Sequence, residues 1–319
     1  MKRIVLIVPY FGNWPLWFDS FLISVAKNPT IHWLCPTDCK IPNKHPENIT
    51  FLPTTLGALN ERVNKVVEAE VPLNPRKFCD LKPAYGEIFA AQVLDYDFWG
   101  ICDMDIVWGD IRKFITPQIL DEYDIISSRN QNISGHFTLF RNNININSLY
   151  KRLPDYKILY ESPHLKRVDE EVLSAYLLNM VDNGNIYFNV YWPTILCNQE
   201  NGRDSHQEYY LDRWRWQDGK MLNTKTGEEV MYLHFINWKR TMRFSEIKYT
   251  DNPKQFYISY NGMHYRPHNR LAHGWNGFTN LFDGYYVRLK IKTFMKKRNQ
   301  LFKPLAPKID SRIKKTTLQ

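Results

Sequence analysis

Asp103 and Asp105 are the residues whose types and spacing most directly permit chemistry in this chain of 319 residues. They close the segment Asp97-Phe98-Trp99-Gly100-Ile101-Cys102-Asp103-Met104-Asp105, whose apolar run reads as a strand. Side chains alternate faces along a strand, so the spacing predicts both carboxylates on one side and Met104 on the other. Two carboxylates at one strand end make a hard, oxygen-only site suited to Mg²⁺ or Mn²⁺. Such an ion can hold a diphosphate and stabilise it as a leaving group. The chemistry this permits is transfer from a nucleotide-activated substrate, foremost a nucleotide sugar. A metal-dependent nucleotidyl- or phosphotransferase can use the same pair, and a non-catalytic glycan-binding module is a third class.

Carboxylates at a strand end need a sheet behind them. Strands are expected at Arg3–Val8, Ile31–Cys35, Ile49–Leu52, Asp97–Cys102, Asp124–Ser127, His136–Phe140 and Val230–Phe235. Helical patterns run over Phe18–Lys27, Leu59–Glu70, Lys82–Leu94 and Asp169–Met180, the last with Val172, Leu173, Tyr176, Leu177 and Met180 on one face. Strands alternating with helices imply an α/β fold with a mainly parallel central sheet flanked by helices. Ligands in such sheets sit beyond the carboxyl ends of the strands. Asp103 and Asp105 lie at such an end, and so do Pro9, Tyr10 and Phe11 after the first strand. The rings of Tyr10 and Phe11 are candidates to stack on a nucleotide base. Lys82 is placed to contact phosphate or to support the metal carboxylates, and Arg76 and Lys77 are further cationic candidates. Asn201–Thr226, rich in Asp, Gln, Arg, Trp and Gly, reads as a long surface loop.

Composition narrows the classes. The five cysteines are odd in number and irregular in spacing, which argues against a disulfide framework and for a reducing cytoplasm. No Gly-x-x-x-x-Gly-Lys loop and no Gly-x-Ser-x-Gly elbow occurs, which disfavours a P-loop kinase and a serine hydrolase. No apolar run approaches the length of a membrane span. The net charge is +9, but the excess lies in the tail, and the nearly neutral body argues against nucleic acid as a partner. Val287, Ile291, Phe294 and Met295 fall at helical spacing among Arg288, Lys290, Lys292, Lys296, Lys297 and Arg298, with Pro304 and Pro307 beyond. Residues 1–280 are therefore expected to form the globular domain. Residues 281–319 are expected to be a basic amphipathic tail, suited to the cytoplasmic face of a membrane as a peripheral protein.

At this point the chain resembles glycosyltransferases of the GT-A fold, in particular bacterial transferases found with capsule and lipopolysaccharide synthesis. The likeness rests on Asp80-Leu81-Lys82-Pro83-Ala84-Tyr85-Gly86, on Phe98 to Asp105 with its Asp-x-Asp triplet, and on Gly109-Asp110. It covers roughly residues 1–245. It implies a metal-dependent hexosyltransferase that uses a UDP-sugar, such as UDP-galactose or UDP-glucose, with Mn²⁺ or Mg²⁺. The implied acceptor is a glycan or lipid-linked glycan of a cell-surface polysaccharide. It further implies His234 as a metal ligand beside Asp103 and Asp105, and Lys239 or Arg240 as the diphosphate ligand. Gly135 would line the donor sugar with its backbone close to it, and His136 would be a catalytic-site residue that hydrogen-bonds a hydroxyl of either sugar. Asp169 or Glu170, at a helix start, would supply a carboxylate near the anomeric carbon.

Overall fold

The computed structural model describes residues 1–182, 184, 188–192, 199–200, 203–204 and 209–301. Pro304, Pro307, Cys197 and part of the segment 201–226 lie outside the described residues. The main sheet is built from β1 (Ile4–Ile7), β2 (Ile31–Thr37), β3 (Ile49–Pro53), β4 (Phe98–Cys102), β6 (Ile125–Ser127), β7 (Phe137–Arg141) and β8 (Val190–Tyr191), with the short β5 (Ile106–Trp108) outside it. Its order is β3-β2-β1-β4-β7-β6-β8. The pairs β3–β2, β2–β1, β1–β4 and β6–β8 are parallel, and the two pairs made by β7 are antiparallel. This is the mainly parallel α/β architecture that the alternation of elements implies.

The alternation of β1 and β4 sets the layers. Val5, Ile7, Trp99 and Ile101 point into one core, with Leu59 and Val63 of the helix Leu56–Val67 and with Leu173 and Leu177. Ile4, Leu6, Phe98 and Cys102 point into the other, where Phe21, Leu22 and Val25 of the helix Phe18–Ala26 cover them. Strands covered on both faces read as continuous apolar runs, as Ile4-Val5-Leu6-Ile7 does.

One expectation fails in this layer and a second is refined. The segment Lys82–Leu94 is a 3₁₀ turn, Lys82–Ala84, followed by two one-turn helices, Tyr85–Ile88 and Ala90–Val93. Pro83 and Gly86 fall inside it, and both disfavour a continuous helix. The helix expected at Asp169 begins as a wide π-type turn over Val168–Leu173 and becomes α-helical from Ser174 to Asp182.

The larger correction concerns Asn201–Thr226, which is not simply a surface loop. After the two-residue strands β9 (Gln199–Glu200) and β10 (Arg203–Asp204) come β11 (Trp214–Gln217) and β12 (Lys220–Asn223), which form a hairpin. With β13 (Glu229–Val230), β15 (Phe244–Ser245), β16 (Gln255–Ser259) and β17 (Gly262–His264) they make a second sheet, ordered β13-β12-β11-β16-β17-β15. Trp214, Trp216 and Met221 are its core, packed with Trp238, Phe256 and Ile258. The remaining strand, β14 (Tyr232–His234), pairs with β5 in antiparallel register, with His234 opposite Ile106. Trp216 Nε1 donates to the Trp108 carbonyl at 3.0 Å and joins the second sheet to β5. Helices Arg270–Asp283 and Tyr285–Leu301 follow.

Candidate active site

β4 ends at Cys102, and Asp103 and Asp105 sit in the bend that leads into β5. The side chain of Met104 is buried in the core, and its carbonyl accepts from Trp17 Nε1 at 3.0 Å. The two carboxylates therefore share a side because a bend turns around a buried methionine, not because a strand continues through them. The pairing of β14 with β5 delivers His234 to the same place. His234 Nε2 lies 3.7 Å from Asp105 Oδ1 and 3.9 Å from Asp103 Oδ2. One ligand atom from each of the three residues falls within 4.8 Å of the others.

Two lysines flank this group. Lys82, buried, donates from Nζ to Asp103 Oδ1 at 2.7 Å and to the Gly135 carbonyl at 2.6 Å. Burial alone would favour the neutral amine, but Asp103, Cys79 and Asp169 more than compensate and hold Lys82 protonated well above its ordinary range. Lys239, half exposed, donates to Asp105 Oδ2 at 2.9 Å. Burial opposes the charge of Asp105, but His234 and Lys239 outweigh it and hold this carboxyl below the usual carboxylate range. Asp105 is thus a fixed anion at neutral pH, while Asp103 keeps a partly open face.

Behind the carboxylates, β7 and the 168 turn meet. A Cβ on Gly135 would lie 2.7 Å from Asp169 Oδ2 and 3.2 Å from Glu170 Oε1, so the missing side chain makes room for these carboxylates. Asp169 is only 4% exposed, and burial pushes its carboxyl up to about 7, with Lys82 offsetting part of the effect. Glu170 is partly exposed and lies 3.6 Å from the Arg129 guanidinium. His136 is buried, stacks on His234 with ring centroids 4.2 Å apart, and shares a 2.7 Å hydrogen bond between its Nδ1 and Tyr232 Oη.

Of the remaining candidates, Tyr10 follows Pro9 at the end of β1, is bridged to Thr37, and stacks on Trp14 at 5.5 Å. Burial, with Cys39 and then Asp105 adding to it, raises the Tyr10 pKa. Phe11 packs against Phe78. Arg240 is exposed at the end of the turn Trp238–Arg240. Lys77 is not available to a ligand: it is fully buried and donates to Asp80 Oδ2 at 2.8 Å and to the Leu159 carbonyl at 3.0 Å. Asp80 in turn accepts from the backbone N–H groups of Lys166 and Val168, which fixes the turn carrying Asp169. The Lys77–Asp80 brace left no trace in the sequence beyond the Asp80-Leu81-Lys82 block.

A family model described as "Family of unknown function (DUF6625)" matches residues 6–267. No curated protein matches the chain. Among solved structures the chain is similar to the galactosyltransferase LgtC in complex with donor and acceptor sugar analogues, at 12% identity and TM-score 0.29, over 53% of this chain and 71% of that one. It is also similar to mouse xyloside xylosyltransferase 1, at 10% identity and TM-score 0.32, over 58% of this chain and 76% of that one. A third is the glycosyltransferase GlyE of Streptococcus pneumoniae TIGR4, at 13% identity and TM-score 0.33, over 59% of this chain and 44% of that one. Likeness at this level fixes no activity; the geometry of the site is what bears on function.

Proposed function

The chain belongs to that family of unknown function, and from its site we propose that it is a metal-dependent glycosyltransferase with a GT-A-like arrangement. The observation that carries the reading is the convergence of Asp103, Asp105 and His234 beyond the carboxyl end of β4, between Lys82 and Lys239. The donor set fits a hard divalent ion, Mn²⁺ or Mg²⁺. Octahedral bonds of about 2.1 Å place neighbouring ligands about 3 Å and opposite ligands about 4.2 Å apart, and the separations of 3.7 and 3.9 Å lie between the two, so the side chains would close slightly on the ion. Asp103, Asp105 and His234 would hold such an ion, and it would supply charge neutralisation for the diphosphate of a nucleotide sugar as leaving group.

The protein's own groups act around that centre. Lys239 rests on Asp105 and is the half-exposed cation able to turn outward to a diphosphate, with Arg240 beside it. Lys82 is committed to Asp103 and the Gly135 carbonyl, so it orients the carboxylate rather than binding phosphate. Tyr10 offers the ring for the base, and Phe11 lies next to it. Glu170, partly exposed, and Asp169, buried beside Gly135, are the carboxylates for the sugar side. His136 supports His234 through ring stacking and Tyr232. The donor in this reading is a UDP-hexose, such as UDP-galactose or UDP-glucose, and the acceptor is a glycan or lipid-linked glycan of capsule or lipopolysaccharide.

A place on the cytoplasmic membrane face is supported by the C-terminal helices. Leu271, Trp275, Phe278 and Phe282, at i, i+4, i+7 and i+11 of helix Arg270–Asp283, are 54–84% exposed. The basic helix Tyr285–Leu301 follows, with Ile291, Phe294 and Met295 exposed. Apolar rows next to basic residues suit the headgroup region of anionic lipid. Among the described residues no helix is long and apolar enough to cross a membrane. The test of the enzymatic reading is release of nucleoside diphosphate from a panel of sugar donors with Mn²⁺, wild type against Asp105→Ala. Release of pyrophosphate instead would indicate nucleotidyl transfer, and the absence of metal-dependent nucleotide binding by calorimetry would end the proposal.

A further inference from the structure

A second cluster, made of entirely different residues, surrounds Asp212. This residue precedes β11 with a left-handed φ of 52°, a region that aspartate tolerates better than most residues. Three imidazoles face its carboxylate. His268 Nδ1 lies 2.8 Å and His264 Nε2 3.2 Å from Oδ1, and His273 Nε2 lies 2.9 Å from Oδ2. His264 ends β17, His268 lies in the link to helix Arg270–Asp283, and His273 is in that helix. The side chains of Asp212 and His264 are 7% and 5% exposed.

The hydrogen bonding of His264 is informative. Its Nδ1 lies 2.6 Å from the Arg266 carbonyl. A carbonyl only accepts, so Nδ1 carries the hydrogen and Nε2 presents a lone pair. That lone pair faces Asp212 Oδ1, which also only accepts. The Ser259 hydroxyl lies 2.9 Å from Nε2 and 3.3 Å from Oδ1, and its one hydrogen serves only one of them. His268 Nδ1 meets Oδ1 at 2.8 Å, and His264 Nε2 with Oδ1 presents two lone pairs 3.2 Å apart that a cation could share.

We propose that Asp212 Oδ1, His264 Nε2 and His268 Nδ1 bind one zinc ion. The three ligand atoms lie within 4.8 Å of one another. Tetrahedral zinc with bonds of about 2.0–2.1 Å sets its ligands about 3.3 Å apart; the 3.2 Å between His264 and Asp212 matches this, and the 2.8 Å hydrogen bond between His268 and Asp212 must widen to admit the ion. The outer partners are those that orient metal ligands. The Arg266 carbonyl holds the His264 ring, while His273 and the His268 backbone N–H, at 2.6 Å, hold the other oxygen of Asp212. Two imidazoles and one carboxylate favour zinc over the hard ions suited to Asp103 and Asp105. His268 also lines a cavity of about 440 Å³ with Tyr209, Tyr260 and Trp275. The ion ties the segment before β11, the end of β17 and the start of helix Arg270–Asp283 into one clasp.

The experiment is elemental analysis of the full chain, without an affinity tag, after incubation with equimolar zinc and gel filtration. Wild type and Asp105→Asn are expected to retain equimolar zinc, and His264→Gln and His268→Gln to lose it. Cobalt loading gives intense tetrahedral bands in the visible spectrum of the wild type that His268→Gln lacks. Circular dichroism confirms that this variant, altered at a partly exposed position, is folded. Zinc removal lowers the melting temperature of the wild type and leaves that of His268→Gln unchanged. Wild type that retains no zinc, histidine variants that retain it undiminished, or zinc lost from Asp105→Asn would each overturn the proposal. None of these outcomes depends on glycosyl transfer.

Discussion

Replacing Asp169 with Asn tests the electrostatics of the site without any substrate. The carboxyl of Asp169 is buried next to Gly135 and is pushed from an ordinary 3.8 up to about 7, first by burial, with Lys82 offsetting part and Glu170 and Asp103 adding to it. A carboxyl so displaced holds its proton more strongly in the folded chain than in the unfolded one. The difference corresponds to on the order of 4 kcal/mol, at about 1.4 kcal/mol per pH unit. The sign follows from linkage. Because the folded pKa is raised, the contribution to stability is fully present below the unfolded value near 3.8 and is lost as pH rises through about 7. Above that, the wild type carries a buried carboxylate, and Asp169→Asn does not. Urea denaturation of both proteins in EDTA, from about pH 4 to about pH 8.5, isolates this contribution, because every other titrating group is common to the two. The stability of the variant relative to wild type should rise by on the order of 4 kcal/mol across that window. A difference that stays flat with pH would show that Asp169 titrates as an ordinary surface carboxyl and would refute the reasoning.

Lys82→Met leaves Asp103 Oδ1 and the Gly135 carbonyl without their buried donor and should destabilise the protein by about 3 kcal/mol in urea melts at neutral pH. Gly135→Ala sets a Cβ 2.7 Å from Asp169 Oδ2, which must displace that carboxylate. Donor turnover should fall by on the order of a hundredfold, with the far-ultraviolet spectrum retained. Trp275→Ser combined with Phe278→Ser, both on the exposed row, should weaken cosedimentation with anionic vesicles by roughly tenfold or more, with turnover of a soluble donor and acceptor unchanged.

The main sheet was legible because its central strands are covered on both faces, so Ile4–Ile7 and Phe98–Cys102 show as apolar runs. The hairpin at β11–β12 was not, because Arg215, Gln217 and Lys220 dominate the local composition. The signal was the alternation of buried Trp214 and Trp216 with partly exposed neighbours, a strand period on one side of a tight turn. Pro83 and Gly86 broke a helix that apolar spacing alone had drawn through them. At the site, Asp103 and Asp105 stood out by spacing, whereas His234 entered only through a resemblance. Its approach to Asp105 depends on the β5–β14 register, a contact between distant segments that no local pattern encodes. The raised pKa of Asp169 was also hidden, since it depends on burial beneath a turn that Asp80 fixes from elsewhere in the chain.

The β5–β14 ladder also bears on when the site comes into being. Lys239 and Asp105 meet across 134 positions of sequence, and His234 reaches its place only when β14 has closed against β5. Closing so long a loop is entropically costly and slow. During synthesis the two carboxylates emerge first, and the chain must be extended well beyond β14 before imidazole and lysine can join them. Capacity to bind a divalent ion with all three side chains is then a property acquired late, and its appearance in refolding would time the docking of the carboxyl-terminal part of the chain. The paired strands thus act as a checkpoint: a molecule in which they have failed to join holds the acidic half of a centre with Lys82 but without His234 and Lys239.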